Sequence, residues 1–260
     1  MAAARGLCPS AITACSCWTI LCAPNFWRAP TNNDEGSAEP FEFALWKSAG
    51  LYARCDNLTA KTKGDFVTVC ANYTLPNGQA LPIVFVIDGA GRYDITMTWQ
   101  GERAEVPEFG LLFPLRRELT EVSYLGLGPR EITADRTADG KMGAWSYNVR
   151  PDFAQNSSVY PQECGSRTGV YSAALTGSGL NIGICFAGDG MIFSALPYTP
   201  HELENARHLY ELPRNDNKTI VRCALFQRGV GGDNSWGAKP HADTCFAVEK
   251  GTSFRFSIQK

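Results

Sequence analysis

Tyr93-Asp-Ile-Thr-Met-Thr-Trp99 carries an apolar side chain at every second position, with Tyr93, Ile95, Met97 and Trp99 alternating with Asp94, Thr96 and Thr98. A two-residue period turns one side of an extended chain toward a core and the other toward water, so the stretch predicts a half-buried strand. The pattern recurs on both sides of it. Val67, Val69, Ala71 and Tyr73 alternate upstream, Pro76-Asn77-Gly78 predicts a turn, and the apolar run Ile83 to Ile87 predicts a buried strand closed by Asp88-Gly89. Downstream, Leu180, Ile182, Ile184 and Phe186 alternate before Gly188-Asp189-Gly190, which reads as a turn, and Phe254, Phe256 and Ile258 predict a last strand.

Helix signals are few. Thr199-Pro200-His201-Glu202 offers a capping Thr, a Pro suited to the first turn and a Glu that closes a capping box. A second short helix is predicted over Phe41 to Ser48, with Phe41, Ala44, Leu45 and Ser48 on one face. Neither is long enough to link parallel strands repeatedly, so the expectation is an antiparallel all-β architecture in one domain.

Composition narrows the function classes. The 260 residues are 44% apolar, enough for a large core, and 24 basic against 26 acidic residues leave a net charge of −2 with no basic stripe, so nucleic acid is not an expected partner. No apolar run is long enough to span a membrane. Six Trp suit a packed sandwich and equally suit sugar binding, where ring faces stack on aromatic planes. Of ten Cys, four (Cys8, Cys15, Cys17 and Cys22) crowd the first 22 residues. Cys55, Cys70, Cys164, Cys185, Cys223 and Cys245 are dispersed and expected as buried thiols. Cys15 and Cys17 lack the second pair that a structural zinc site needs, and no His spacing suggests a metal. Met1 to Pro24, with Arg5 before a small-residue, Cys-rich stretch, looks superficially like a signal peptide, but its apolar run is broken by Ser, Thr and Cys, and a cytoplasmic location is expected.

The most site-like stretch is Gly229-Val-Gly-Gly-Asp-Asn-Ser-Trp-Gly237. Its glycines free the backbone for tight turns, while Asp233, Asn234 and Trp236 supply acceptors, donors and a flat apolar face, a combination that suits a sugar ring and also a Gly-rich hairpin packed on the core. It is not a phosphate loop, and no G-x-S-x-G elbow is present. Among the carboxylates, Glu131 is expected to pair with nearby Arg136, and Glu163 with Arg167. No catalytic carboxylate pair is evident.

Four motifs in order, Asn25-Phe-Trp-Arg-Ala-Pro-Thr-Asn-Asn-Asp-Glu-Gly36, Tyr124-Leu-Gly-Leu-Gly-Pro-Arg-Glu131 with Asp135-Arg136, Tyr160-Pro-Gln-Glu-Cys-Gly-Ser-Arg167, and Gly229 to Trp236, together with His208 to Leu212, resemble the C-terminal domain of family-two β-galactosidases over residues 25 to 260. Met1 to Pro24 matches that domain poorly. The resemblance implies a galactose-mutarotase-like antiparallel supersandwich that joins a TIM barrel, or a large subunit, carrying the catalytic glutamates. It implies Trp236 at the mouth of a galactoside site, with Asp233 and Asn234 shaping its loop, and no catalytic residue in this chain. It also implies no cofactor held here, the family's barrel typically using Mg and Na, and Trp27 packed in the core. The sequence departs from the family at Asn33, where an acid is usual, at Cys164, where Asn is usual, and near Ile132 and Thr133, where a Tyr is usual, so weaker polar pairing is expected at those turns. Two other readings remain: a non-catalytic carbohydrate-binding module or remnant, and an aldose 1-epimerase, which needs a His and a carboxylate facing one pocket.

Overall fold

The computed structural model of the chain describes residues 22–177, 183–214, 218–234 and 236–260. Leu180, Ile182, Ser235, and all of the N-terminal segment before Cys22 lie outside these. The chain order is β1 (Ala23–Asn25), α1 (Asn32–Gly36), α2 (Glu39–Glu42), α3 (Ala44–Ala49), β2 (Arg54–Lys63), β3 (Phe66–Thr74), β4 (Ala80–Ile87), β5 (Tyr93–Thr98), β6 (Ala104–Glu105), β7 (Glu108–Arg116) and β8 (Glu121–Gly128). It continues with β9 (Lys141–Asn148), α4 (Val149–Asn156), β10 (Arg167–Thr176), β11 (Ile184–Leu196), α5 (Pro200–Asn205), β12 (Lys218–Gln227), β13 (Ala247–Val248) and β14 (Ser253–Gln259). No helix of the described residues is long and apolar enough to cross a membrane.

The fold is an antiparallel all-β sheet of twelve strands, ordered β1-β7-β12-β11-β14-β5-β4-β3-β2, with β10, β8 and β9 continuing from β11. The expected alternation sets its register. Ile95 and Met97 of β5 are buried beside Phe256 and Phe254 of β14, and on β5's other edge beside Phe85 and Ile83 of β4. Trp99 closes the row, 1% exposed, its indole N–H donating to the Glu102 carbonyl at 2.8 Å. Around it Phe26, Trp46 and Phe109 pack with ring centroids 5.5 to 6.1 Å apart, which joins α3 to the sheet.

Two local expectations are corrected. Gly188-Asp189-Gly190 does not turn the chain; it is a bulge inside the 13-residue strand β11. Val170 pairs with Met191 and Ser172 with Ala187, so two steps along β10 match four along β11. Gly190, at φ 69°, takes the left-handed conformation this needs. The bulge lets one strand change neighbours, β14 over Cys185–Gly188 and β12 over Ile192–Leu196. In the second case, Phe41 to Ser48 forms α2 and α3 instead of one helix, and the face with Phe41 and Leu45 is exposed while Phe43, Trp46 and Ala49 are buried. The bulky Trp46 set the face. The α5 capping box forms as expected, with Thr199 bonded to the Glu202 backbone and Glu202 to the Thr199 N–H. Of the six dispersed cysteines, Cys164 and Cys223 are buried and the other four are half-buried.

Beneath the loops at one end of the sheet lies a charged interior network. Arg222 of β12 bonds Glu108 of β7 at 3.1 Å, Ser194 of β11 at 3.0 Å and Glu163 of the α4–β10 loop. Gln227 donates to both carboxylates, at 2.9 and 3.2 Å, and Asn25 of β1 donates to Glu108 and to the Trp27 carbonyl. Burial pushes the Glu108 carboxyl above the usual carboxylate range, against the pull of Arg222. Removing the cation strands two carboxylates in the interior. Arg222→Met is expected to cost about 3–5 kcal/mol, read as a lower urea midpoint; a wild-type midpoint would contradict the network's structural role.

Candidate functional site

Four segments converge above this network: Arg28 to Gly36, Arg130 to Arg136, Tyr160 to Arg167 and Gly229 to Pro240. Thr31 caps α1 and forms a capping box with Asp34, whose carboxylate also takes the buried Arg28 guanidinium at 2.8 Å. The same guanidinium donates to the Gly229 carbonyl at 3.0 Å, which ties α1 to the glycine-rich loop. Asn33 adds two ties, its amide donating to the carbonyls of Val230 at 2.9 Å and Ala238 at 2.8 Å. The expectation of weaker pairing at Asn33 is therefore corrected, because an amide supplies two donors that an ionised acid lacks.

The base of the Gly229 loop is held from the other side by Asp135, which accepts from the Gly231 N–H at 2.7 Å and from the Thr133 hydroxyl at 2.8 Å. Gly237, at φ 75°, passes so close to Gly36 that a Cβ there would lie 2.3 Å from its carbonyl carbon. Only glycine fits that crossing. The loop tip is the opposite: Trp236 is 88% exposed, with its backbone N–H bonded to the Asn234 side chain at 2.8 Å. Asp233 is exposed and bonded to His241 on the returning arm. The structure thus brings Asp233, Asn234 and Trp236 together on one loop tip, with Asn234 positioning the tryptophan backbone.

The near-sequence ion pairs are not those expected. Glu131 accepts from the Gly165 N–H at 2.5 Å, Glu163 bonds Arg222, and Arg167 pairs with Asp152 at 2.7 Å, its guanidinium 4.7 Å from the Tyr147 ring centroid. Burial raises the Glu131 carboxyl above its ordinary range and the Gly165 N–H only partly opposes this. Trp27 is packed in the core as expected, its indole N–H donating to Glu204 at 2.9 Å.

Between the segments opens a polar cleft of about 650 Å³, lined among others by Asn32, Asn33, Glu131, Arg136, Gln162 and Glu163. No histidine lines it. His201 bonds the Lys47 carbonyl at 2.8 Å and His208 pairs with Glu211 at 3.1 Å, so the His-plus-carboxylate pocket required for epimerisation is not formed among the described residues. Nor do three His, Cys, Asp or Glu side chains among them converge as metal ligands. Asn33, Asp135 and His241 escaped the sequence reading because their partners lie far along the chain; only the polar character of the motifs marks the first two.

A family model described as β-galactosidase small chain matches residues 12–258. The chain belongs to the β-galactosidase small chain family. A β-galactosidase of Lactobacillus delbrueckii subsp. bulgaricus is 37% identical over 238 residues, covering 90% of the chain, and a β-galactosidase small subunit of Latilactobacillus sakei is 28% identical over 270, covering 90% of it. The chain spans about a quarter of the first relative, 23% of its length, and 83% of the second. Among solved structures, a galactose mutarotase related enzyme from Lactobacillus acidophilus superposes at TM-score 0.37 with 9% identity over 78% of this chain and 70% of its own, and the architecture is defined by the strand pairing itself.

Two outcomes are expected of the loop. Asn33→Ala removes both ties at a cost of about 1–2 kcal/mol and raises amide hydrogen exchange in the Gly229 to Pro240 loop; unchanged exchange there would count against its anchoring role. His241 titrates above its ordinary value because Asp233 bonds its protonated ring, with Asp243 and Asp135 adding to the pull. Its contribution is therefore present below ~6.5 and lost as pH rises through the folded value. Nuclear magnetic resonance should show the His241 midpoint dropping toward ~6.5 in Asp233→Asn, and an unmoved midpoint would rule the pair out.

Proposed function

We propose that this chain is the small subunit, or the corresponding piece, of a β-galactosidase and completes a galactoside site whose acid/base and nucleophile carboxylates belong to a catalytic partner chain. The observation that carries the reading is the contrast within one loop: its base is pinned by Arg28, Asn33 and Asp135, while its tip presents the Trp236 indole to solvent. A rigid, water-facing indole is of use to a sugar only if something else brings the sugar to it. The apolar face of a galactose ring stacks on such a plane, while cleavage with retention runs through an oxocarbenium-like state between two partner carboxylates. Asp233 and Asn234 hold the tip in place and are assigned to the sugar site through Trp236. The metal ions that the resemblance implies are assigned to the partner.

Supporting the reading are membership of the small chain family and the chain's span of about a quarter of a single-chain relative. Mixing the chain with the Lactobacillus delbrueckii subsp. bulgaricus relative truncated of the quarter it matches should restore hydrolysis of a chromogenic β-galactoside. Trp236→Ala should then raise KM about tenfold, the order expected for one lost aromatic stack, with a smaller change in kcat. Absence of rescue by the wild-type chain, under conditions where the truncated partner is folded, would overturn the proposal. Calorimetric binding of galactose by the isolated chain would instead favour a free-standing carbohydrate-binding module.

A further inference from the structure

Large apolar side chains grouped on a water-facing surface mark a place where another molecule packs. Two such groups flank the polar cleft. On one side stand Trp236 and Phe41, 88% and 87% exposed, whose segments are joined by the Lys239–Glu42 ion pair and by the crossing of Gly237 over Gly36. On the other stand Tyr160 and Tyr210, 50% and 80% exposed. The His208 ring lies between them, 5.1 Å from Tyr210 with planes 9° apart and 6.1 Å from Tyr160. Gln162, two residues beyond Tyr160, lines the cleft and accepts from the Asn32 N–H at 3.1 Å, which ties this second group to α1.

The cleft between the groups contains an unmet acceptor. Glu163 lines it and is 6% exposed; its Oε1 accepts from Arg222, Gln227 and Ser166, yet its Oε2 is buried with no hydrogen-bond partner among the described residues. A buried acceptor without a donor is destabilising, and a donor entering the cleft removes that penalty. Glu131, on the same wall, has its second buried carboxyl bonded to the Gly165 N–H.

We propose that this face, with Trp236 and Phe41 on one side of the cleft and Tyr160 and Tyr210 on the other, docks on the catalytic chain of a β-galactosidase, and that a side chain of that partner bearing N–H donors enters the cleft to meet Glu163 and Glu131. The inference rests on the reading of the chain as a subunit and goes past it by assigning the face. Trp236 reaches a sugar held by the partner only if the surface around its loop turns toward that partner. The matched relative is more than four times as long as the part this chain spans, so a partner of the missing length is large enough to cover the whole face. Exposed Trp, Tyr and Phe around a desolvated polar centre is also the composition of an interface centre, where a few such anchors dominate binding. The far edge of the sheet has the opposite character: β2 carries Lys61 and Lys63 exposed along an unpaired edge, the usual guard of a strand that meets water.

The test immobilises the truncated Lactobacillus delbrueckii relative and measures binding of the full chain by interferometry. Tyr210→Ser and Phe41→Ser, both at exposed positions, should each weaken Kd ~10-fold or more without lowering Tm. Glu131→Gln should weaken it as well, while Lys61→Glu on the far edge should leave it unchanged. Wild-type binding that survives the Tyr210 and Phe41 substitutions, or that falls equally with Lys61→Glu, overturns the docking face alone. No binding of the wild-type chain overturns the subunit reading together with it.

Discussion

One buried guanidinium organises the end of the sheet on which everything else stands. Arg222 is 3% exposed and touches groups from β7, β11 and the loop after α4, and through Glu108 it reaches Asn25 of β1. A lone cation in the interior is prohibitively unfavourable, and so is a pair of lone carboxylates. Each is tolerable only with the others in place, so the network accepts one arrangement of β1, β7, β11, β12 and the Glu163 loop. Apolar packing elsewhere in the sheet tolerates small shifts; this corner does not.

That constraint passes outward to the site. Glu163 is both a member of the network and part of the cleft wall, and its backbone N–H bonds the Ala29 carbonyl at 3.3 Å just before α1. Arg28 and Asn33 then carry the position of that segment to Gly229, Val230 and Ala238. A small apolar cluster of Ala29, Cys164, Leu196, Leu203, Ala206 and Leu212 fills the space beneath the same loops. Cys164 stands where the family usually has a polar residue, and here it serves as a packing group, its thiol pushed well above its ordinary range by burial.

Much of the sheet was legible in the sequence because alternation is a local signal that burial on one face imposes directly. Tyr93 to Trp99 and Phe254 to Ile258 read correctly for that reason, and so did the Thr199 capping box, whose partners are three residues apart. The misreadings share a cause. Gly188-Asp189-Gly190 has turn chemistry, but β10, β12 and β14 converge on β11 and draw it into one bulged strand. Glu131 and Glu163 were assigned to the arginines nearest in sequence, whereas the interior pairs Glu163 with Arg222, 59 residues away. In the site, Trp236, Asp233 and Asn234 were legible through a motif resemblance, and the anchors Asn33, Asp135 and His241 were not, since their partners lie 8 to 205 residues away.

The two halves of the Gly229 loop answer opposite demands, and the order of construction explains how one sequence meets both. Its base is fixed by buried partners before any second molecule arrives, and the Trp236 backbone is bonded to Asn234 within the tip. Association therefore need not order the loop, which removes a conformational cost that an adaptable loop would carry into every encounter. The indole at the tip gains nothing from this chain alone, since 88% of it faces water. A strained crossing at Gly237, a buried cation at Arg28 and a doubly bonded amide at Asn33 are a heavy investment in holding one exposed ring still. Such positioning has a physical consequence only when the ring closes a site whose remaining walls lie on another body.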